Sequence, residues 1–177
     1  RHEILRTAFP DAGGRPLQFI APPAPPPVPL TDLSALERAH QEEELQRLMT
    51  AEARRPFDLS RGPLFRMCLV RLNPSEHEAV LTMHHIIADG WSMGILIEEL
   101  GKFYAGAAAG DAAELSPLPV QYADFAVWQR EWLSGERLEA QLSYWRKRLA
   151  GAPPLLELPT DFPRPAVQSL RGTTLNL

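Results

Sequence analysis

The chain has 177 residues, of which 45% are hydrophobic and 23% charged, and its net charge is −4 at neutral pH. This length allows one domain with a hydrophobic core. The negative charge gives no support to nucleic-acid binding, which depends on a concentrated basic surface. No apolar stretch approaches the ~20 residues of a membrane-spanning helix, and a single cysteine, Cys68, excludes an internal disulfide. These features predict a cytoplasmic protein without nucleic-acid or membrane partners.

The first third of the chain predicts short elements on either side of a proline-rich crossing. Apolar residues recur at near-helical spacing in residues 1–9, and a short strand is predicted at 16–20. Residues 21–29 are too rich in proline for a helix or a central strand. A helix is predicted to end near Arg54 and to be capped by Asp32 or Ser34, since Glu37 follows Ser34 at capping-box spacing.

The middle of the chain predicts an antiparallel hairpin followed by helices. The hairpin strands are predicted at residues 64–72 and 78–85, with a turn rich in polar residues between them. Ser92 is the expected cap of the next helix, and residues 118–133 and 136–149 predict two more helices. The last residues, 172–177, resemble the beginning of a strand. The predicted class is α+β, with helices packed on a mostly antiparallel or mixed sheet.

Two adjacent histidines, His84 and His85, are predicted at the end of the second hairpin strand. Neighbouring side chains of a strand point to opposite faces, so one imidazole would face a cleft and the other the interior. Histidine is the usual base near neutral pH. Asp89 follows across the turn and would either orient an imidazole or hold the loop by pairing with an arginine. Gly90 allows a ligand to approach the backbone closely.

Other interpretations of this stretch are also open. The helix predicted to begin near Ser92 would present N–H groups and a positive dipole end, which suit a developing oxyanion. Histidines beside a core strand can instead be structural. A metal site is not predicted, because adjacent strand histidines diverge and no other His or Cys stands at ligand-like spacing.

Three stretches resemble the condensation domains of non-ribosomal peptide synthetases. HHIIADG at residues 84–90 matches their HHxxxDG signature, of which HHxxxD is shared with chloramphenicol acetyltransferase and other acyltransferases. RHEILRT at residues 1–7 resembles the family's RHExLRT motif. YADFAVWQ at residues 122–129 resembles its YxDYAVWQ motif, with Phe125 in place of the common tyrosine. The resemblance covers the whole chain.

The resemblance implies an acyltransferase-type enzyme with two chloramphenicol-acetyltransferase-like lobes and a tunnel between them. Donor and acceptor carrier domains would deliver substrates on phosphopantetheine arms, and the domain would bind no cofactor of its own. The acceptor amine would attack the donor thioester to form an amide. His85 would be the catalytic histidine, as general base or by orienting the amine, and His84 its buried partner.

The resemblance also implies roles for the residues that follow the histidines. Asp89 would be held in a salt bridge with an arginine that belongs to a first motif ahead of Arg1, with Arg1 and Arg6 as alternative partners. The backbone of Gly90 would lie against the substrate. Gly90, Trp91 and Ser92 together resemble the subtype that joins L-configured donors and acceptors.

The family's first motif and its second lobe have no counterpart in this sequence. Residues 1–177 are therefore expected to be an N-terminal lobe truncated at both ends, inactive alone, with the other lobe and an adenylation domain as further partners. Two other functions stay open. One is acyl transfer from coenzyme A or carrier thioesters by another HHxxxD acyltransferase, and the other is a non-catalytic recruitment domain.

Overall fold

The chain contains helices and two small sheets. The computed structural model describes residues 1–111, 113–167 and 169. The chain divides into two units, residues 1–131 and 132–177. The strand predicted at 172–177 lies outside the described residues. In chain order, the elements are a 3-10 helix Glu3–Arg6, β1 Thr7–Ala8, β2 Phe19–Ile20, β3 Leu30–Asp32, α1 Arg38–Arg54, β4 Phe65–Asn73, β5 Glu76–Met83, α2 Gly90–Ala109, α3 Tyr122–Trp132 and α4 Gly135–Arg148.

The larger sheet of the first unit has the strand order β3-β4-β5 and is mixed. β3 runs parallel to β4, with Leu30 opposite Leu69. β4 and β5 form the predicted antiparallel hairpin, with Phe65 opposite Met83. The prediction that this hairpin strand continues through His85 is wrong, because β5 ends at Met83. The two histidines therefore lie beyond the sheet.

Helix α1 covers one face of this sheet and closes the main core. Leu33, Val70 and Leu72 are buried there, and partly buried side chains from α1 and β5 pack against them. Gln41 is buried on the same face of α1. Its side-chain amide donates to the carbonyl oxygens of Leu33 at 3.0 Å and Leu72 at 2.8 Å. These two acceptors satisfy the side-chain N–H groups of Gln41, which would be costly to bury without partners.

The start of α1 differs from the prediction. The helix begins at Arg38, and Glu37 precedes it without a side-chain capping bond. The predicted capping box of Ser34 and Glu37 is therefore wrong. Leu30–Asp32, which precede Ser34, form β3 instead, because they pair with β4. Asp32 then accepts the Ser34 backbone N–H at 2.9 Å in a local turn.

The N-terminal stretch also differs from the near-helical expectation. Only Glu3–Arg6 form a turn of 3-10 helix, and Thr7–Ala8 then pair with Phe19–Ile20 as a two-stranded sheet. The Thr7 hydroxyl donates to the Glu3 carbonyl at 2.8 Å. The apolar residues in 1–9 that suggested a helix are divided between the 3-10 turn and the buried strand that follows it.

The second unit contains α4, which begins and ends within one residue of the prediction. The Arg137 guanidinium lies 4.6 Å from the centre of the Trp132 ring and donates to the Trp132 carbonyl at 2.8 Å. This pair joins the first turn of α4 to the residue at the end of α3. No helix within the described residues combines the length and the apolar character that crossing a membrane requires.

Candidate functional site: the turn from His84 to Ser92

The two histidines occupy a tight turn between β5 and α2. The His84 backbone N–H donates to the Leu64 carbonyl at 2.9 Å, which ties the turn to the residue before β4. The Ile87 N–H donates back to the His84 carbonyl at 3.0 Å. His84 is half-buried and His85 is exposed. The two imidazoles thus differ in exposure as expected, but a turn rather than strand alternation separates them.

The His84 imidazole has a defined hydrogen-bonding role. Its Nδ1 accepts the backbone N–H of Ile86 at 3.0 Å. A nitrogen that accepts carries no proton, so neutral His84 holds its proton on Nε2. The ring of Phe57 lies edge-on to it, at 6.1 Å between centroids and 87° between planes. His84 therefore acts here as a structural part of the turn.

Asp89 is the N-cap of α2 and forms a capping box with Ser92. Its Oδ1 accepts the Ser92 backbone N–H at 2.8 Å, and the Ser92 hydroxyl accepts the Asp89 N–H at 2.7 Å. The prediction that Ser92 itself caps the helix is wrong, since the helix begins at Gly90. A carboxylate at a helix N-terminus also complements the positive end of the dipole.

Within residues 1–111 and 113–167, the Asp89 carboxylate accepts hydrogen bonds from Ser92 and pairs with no arginine. Its pairing with an arginine ahead of Arg1 stays a prediction. Arg1 pairs instead with Glu99 at 2.9 Å. Arg6 pairs with Glu3 at 3.0 Å and donates to the Ala21 carbonyl. Neither alternative partner therefore holds Asp89 in this structure.

The capping bonds set the charge state of Asp89. The hydrogen bond from the Ser92 backbone N–H, followed by that from the Ser92 hydroxyl, holds the pKa of Asp89 below its ordinary value of 3.8. The nearby His85 lowers this pKa further, by a smaller amount. Asp89 is thus a carboxylate at neutral pH and is already engaged by its own helix, so a proton relay through it is disfavoured.

The lowered pKa of Asp89 predicts a dependence of stability on acid. Because the folded pKa lies below the unfolded one, the carboxylate stabilises the fold at pH above 3.8, and this contribution disappears as the pH falls through the folded value. Asp89→Asn keeps an N-cap acceptor without the charge. We expect the wild type to unfold at higher urea concentration than Asp89→Asn near pH 7, and this advantage to shrink below pH 3.8.

The matched control for this measurement is Glu43→Gln, which removes one exposed carboxylate from α1. Urea unfolding of all three proteins between pH 7 and pH 3 gives the comparison. An advantage over Asp89→Asn that stays constant across this range would contradict the assignment of Asp89 as a charged cap.

The residues after Asp89 lie open on the first turn of α2. Trp91 is 84% exposed, and a Cβ placed on Gly90 would meet no atom within 4 Å. Packing among the described residues therefore does not require glycine at this position. The N–H groups of Ser92 and Met93 are taken by the side chain and carbonyl of Asp89. These two N–H groups are therefore not free to bind the oxyanion that was expected at this helix end.

A groove of about 770 Å³ runs beside the turn along β4. Phe57 lines this groove and also contacts His84, so its side chain connects the groove to the turn from His84 to Ser92. Arg66 lines the same groove, with its guanidinium 3.8 Å from the centre of the Phe57 ring. Among the residues that the structure describes, no group of three or more His, Cys, Asp or Glu side chains is arranged to hold a metal ion.

Sequence patterns did not predict that Phe57 contacts His84 or that Arg66 contacts Phe57. Phe57 lies 27 residues before His84, in a segment whose turn-forming residues predict a connector. Arg66 offered a signal, because arginine is seldom buried in an apolar strand unless it is paired. Its side chain is only 16% exposed.

The chain is similar over nearly its whole length to known proteins of one family. The Condensation domain family matches residues 1–177. A linear gramicidin synthase of Brevibacillus parabrevis is 51% identical over 100% of the chain, and phosphinothricin tripeptide synthetase PhsC of Streptomyces viridochromogenes is 49% identical over 97%. The chain spans 4% and 16% of these two proteins.

One solved structure, the X-domain in its complex with OxyB from teicoplanin biosynthesis, gives the fold comparison. It is 35% identical with a TM-score of 0.81. The match covers 94% of this chain and 36% of that one. The predicted fold class, α+β of the chloramphenicol-acetyltransferase type, is confirmed.

Proposed function

Because this chain belongs to the condensation-domain family, we propose that it supplies the histidine wall of a site that forms amide bonds in non-ribosomal peptide synthesis. The observation that carries the proposal is the turn from His84 to Ser92. It presents one exposed imidazole, His85, beside a capped helix, while its neighbour His84 is engaged in the turn. One relative named above is a tripeptide synthetase, and a tripeptide is a product of amide-bond formation.

The proposed reaction joins two carrier-bound thioesters. The α-amino nitrogen of the acceptor attacks the thioester carbonyl of the donor, a C–N bond forms, and the C–S bond breaks to release the donor carrier's thiol. The amine loses one proton and the thiolate gains one. His85 takes the proton from the amine as general base, or accepts a hydrogen bond that orients the amine.

The other residues of the turn support His85 rather than react. His84 holds the turn through its bond to Ile86. Asp89 and Ser92 start α2 at a defined position after the histidines. Gly90 and Trp91 form the open edge of the turn, where the substrate backbone would pass closely. Joining of L-configured donors and acceptors is the subtype that we propose from these positions.

We further propose that residues 1–177 are the N-terminal lobe of a larger domain. The match covers only 36% of the solved X-domain chain, which supports a second lobe in addition to these residues. Two carrier domains with phosphopantetheine arms and an adjacent adenylation domain are the proposed partners. The domain itself would bind no cofactor. A cytoplasmic location stays a prediction.

The test is an amide-forming assay with the intact condensation domain and two loaded carrier proteins. We expect the dipeptidyl thioester to appear on the acceptor carrier, detected by mass spectrometry. Residues 1–177 alone should give no product, because they hold one wall of the site. Free coenzyme A thioesters replace the donor carrier as a control. Efficient transfer from them would contradict carrier-dependent condensation and favour a general acyltransferase.

A recruitment role is the second candidate, favoured by one observation. The X-domain was solved as a complex with OxyB, so a domain of this fold can serve as a platform for another protein. The same assay separates the two functions. A platform would bind a partner protein and produce no amide from loaded carriers.

A further inference from the structure

The side chain of Arg66 on β4 ties the end of α1 to the sheet. Its Nε donates to Glu52 Oε2 at 3.0 Å, and its Nη2 donates to the carbonyls of Glu52 at 3.1 Å and Arg55 at 2.8 Å. These carbonyls lie at the C-terminal end of the helix, where Arg55 is the C-cap and its N–H also donates to the Glu52 carbonyl at 3.3 Å. A guanidinium suits this place because its donors lie in one rigid plane and its charge complements the helix C-terminus.

The same guanidinium fixes the ring of Phe57. Its carbon lies 3.8 Å from the ring centroid, close enough for a cation–π contact. One face of the phenyl ring is therefore covered by a group that is itself held by α1. The ring then meets the His84 imidazole edge-on, in the geometry that aromatic pairs prefer.

The His84 ring in turn stabilises the backbone of the turn through a hydrogen bond. The orientation of its ring decides whether Nδ1 can accept the Ile86 N–H, which it does at 3.0 Å. His85 lies between these two residues. A rotation of the His84 ring would break the bond and free the backbone on which the His85 side chain stands.

We propose that Arg66 is a positioning residue for His85, acting through Phe57 and His84. The proposal rests on the function proposed for His85. Arg66 itself contacts no reacting atom. It sets the plane of Phe57, Phe57 limits the rotation of His84, and His84 holds the turn that aims His85. Small displacements of a reacting group reduce rates strongly, about a hundredfold for 1 Å.

The test uses the intact condensation domain with selectively labelled histidine and isoleucine. Arg66→Lys keeps the charge but loses the planar stack on Phe57, and Phe57→Leu removes the ring. We expect both variants to shift the NMR signals of His84 Nδ1 and of the Ile86 amide. We also expect kcat to fall by about tenfold to a hundredfold with little change in KM. The double variant should lose no more than the worse single variant, since the two residues act in series.

Two controls separate positioning from general damage. Arg71→Lys is the matched substitution on the same strand, where the arginine pairs with exposed Asp32 at 3.1 Å, and it should leave both signals and kcat unchanged. Phe57→Tyr keeps the ring and should retain wild-type signals and rate. If Arg66→Lys does not fold, the comparison of Phe57→Leu with Phe57→Tyr still tests the step from Phe57 to His84. The proposal fails if Phe57→Leu leaves both signals and kcat unchanged.

The outcomes distinguish this proposal from the proposed function. Shifted His84 and Ile86 signals with unchanged kcat would overturn the positioning role of Arg66, as would unmoved signals in both variants. If the wild-type domain forms no amide, the proposed function fails, and shifted signals would then support only the structural contact between Arg66, Phe57 and His84. The positioning of a reacting His85 would fail together with the function.

Discussion

Replacement of His85 by alanine in the intact domain is expected to lower the rate of amide formation by about 10²–10⁴-fold while leaving the fold unchanged. The loss follows from removal of the proposed base or orienting group. The fold should persist because His85 is exposed and its neighbour His84 makes the contacts that hold the turn. The measurement is single-turnover product formation between loaded carriers, alongside circular dichroism and thermal unfolding.

His77→Ala is the matched control, since His77 is an exposed histidine of β5 and should react at the wild-type rate. His85→Gln distinguishes the two roles. A glutamine can accept a hydrogen bond but is not a base at neutral pH, so recovery of the rate would indicate orientation of the amine. Wild-type product formation by His85→Ala would refute a catalytic His85 and favour the recruitment function.

Replacement of Leu72 by alanine is expected to reduce the free energy of unfolding by about 2–5 kcal/mol. Leu72 is buried at the centre of the core between α1 and the sheet, with Leu33 and Val70. Truncation would remove apolar contacts and leave a cavity that the surrounding strands can fill only in part. A loss of this size is a large fraction of the about 5–15 kcal/mol that stabilises a typical domain.

Urea unfolding of the intact domain measures this loss. Leu17→Ala is the control, because Leu17 is 52% exposed and its truncation creates no cavity. We expect that control to unfold close to the wild-type midpoint. Equal midpoints for Leu72→Ala and Leu17→Ala would show that the core of the first unit does not depend on the packing of α1 against β4.

The elements that sequence patterns predicted well are those encoded locally. The hairpin of β4 and β5 follows from two β-rich runs separated by a polar turn, and α4 follows from a helical segment that stops before Gly151. The start of α1 was mispredicted because Ser34 and Glu37 satisfy a capping pattern that competes with strand pairing. Parallel pairing of β3 with β4 joins segments almost forty residues apart, and no local pattern reports it.

The candidate site divides in the same way. The motif at residues 84–90 identified the histidines and Asp89 directly from the sequence, together with the family. The arginine predicted ahead of Arg1 as a partner of Asp89 stays a prediction. The partner that the structure adds is Ser92, three residues after Asp89 at the start of α2. The contact of Phe57 with His84 was not predicted, because the position of Phe57 depends on where α1 ends and on the guanidinium of Arg66.

By itself, the sequence determined the family, the α+β class and the residues proposed for chemistry, because these depend on residue identity and short-range spacing. The tertiary structure alone decided that β5 stops at Met83, that the histidines stand in a turn, and that His84 is engaged while His85 is exposed. The physical reason is that these outcomes follow from hydrogen bonds and ring contacts between distant segments. The Leu64 carbonyl reaches His84 through the pairing of β4 with β5, and the Phe57 ring reaches it from the segment that follows α1.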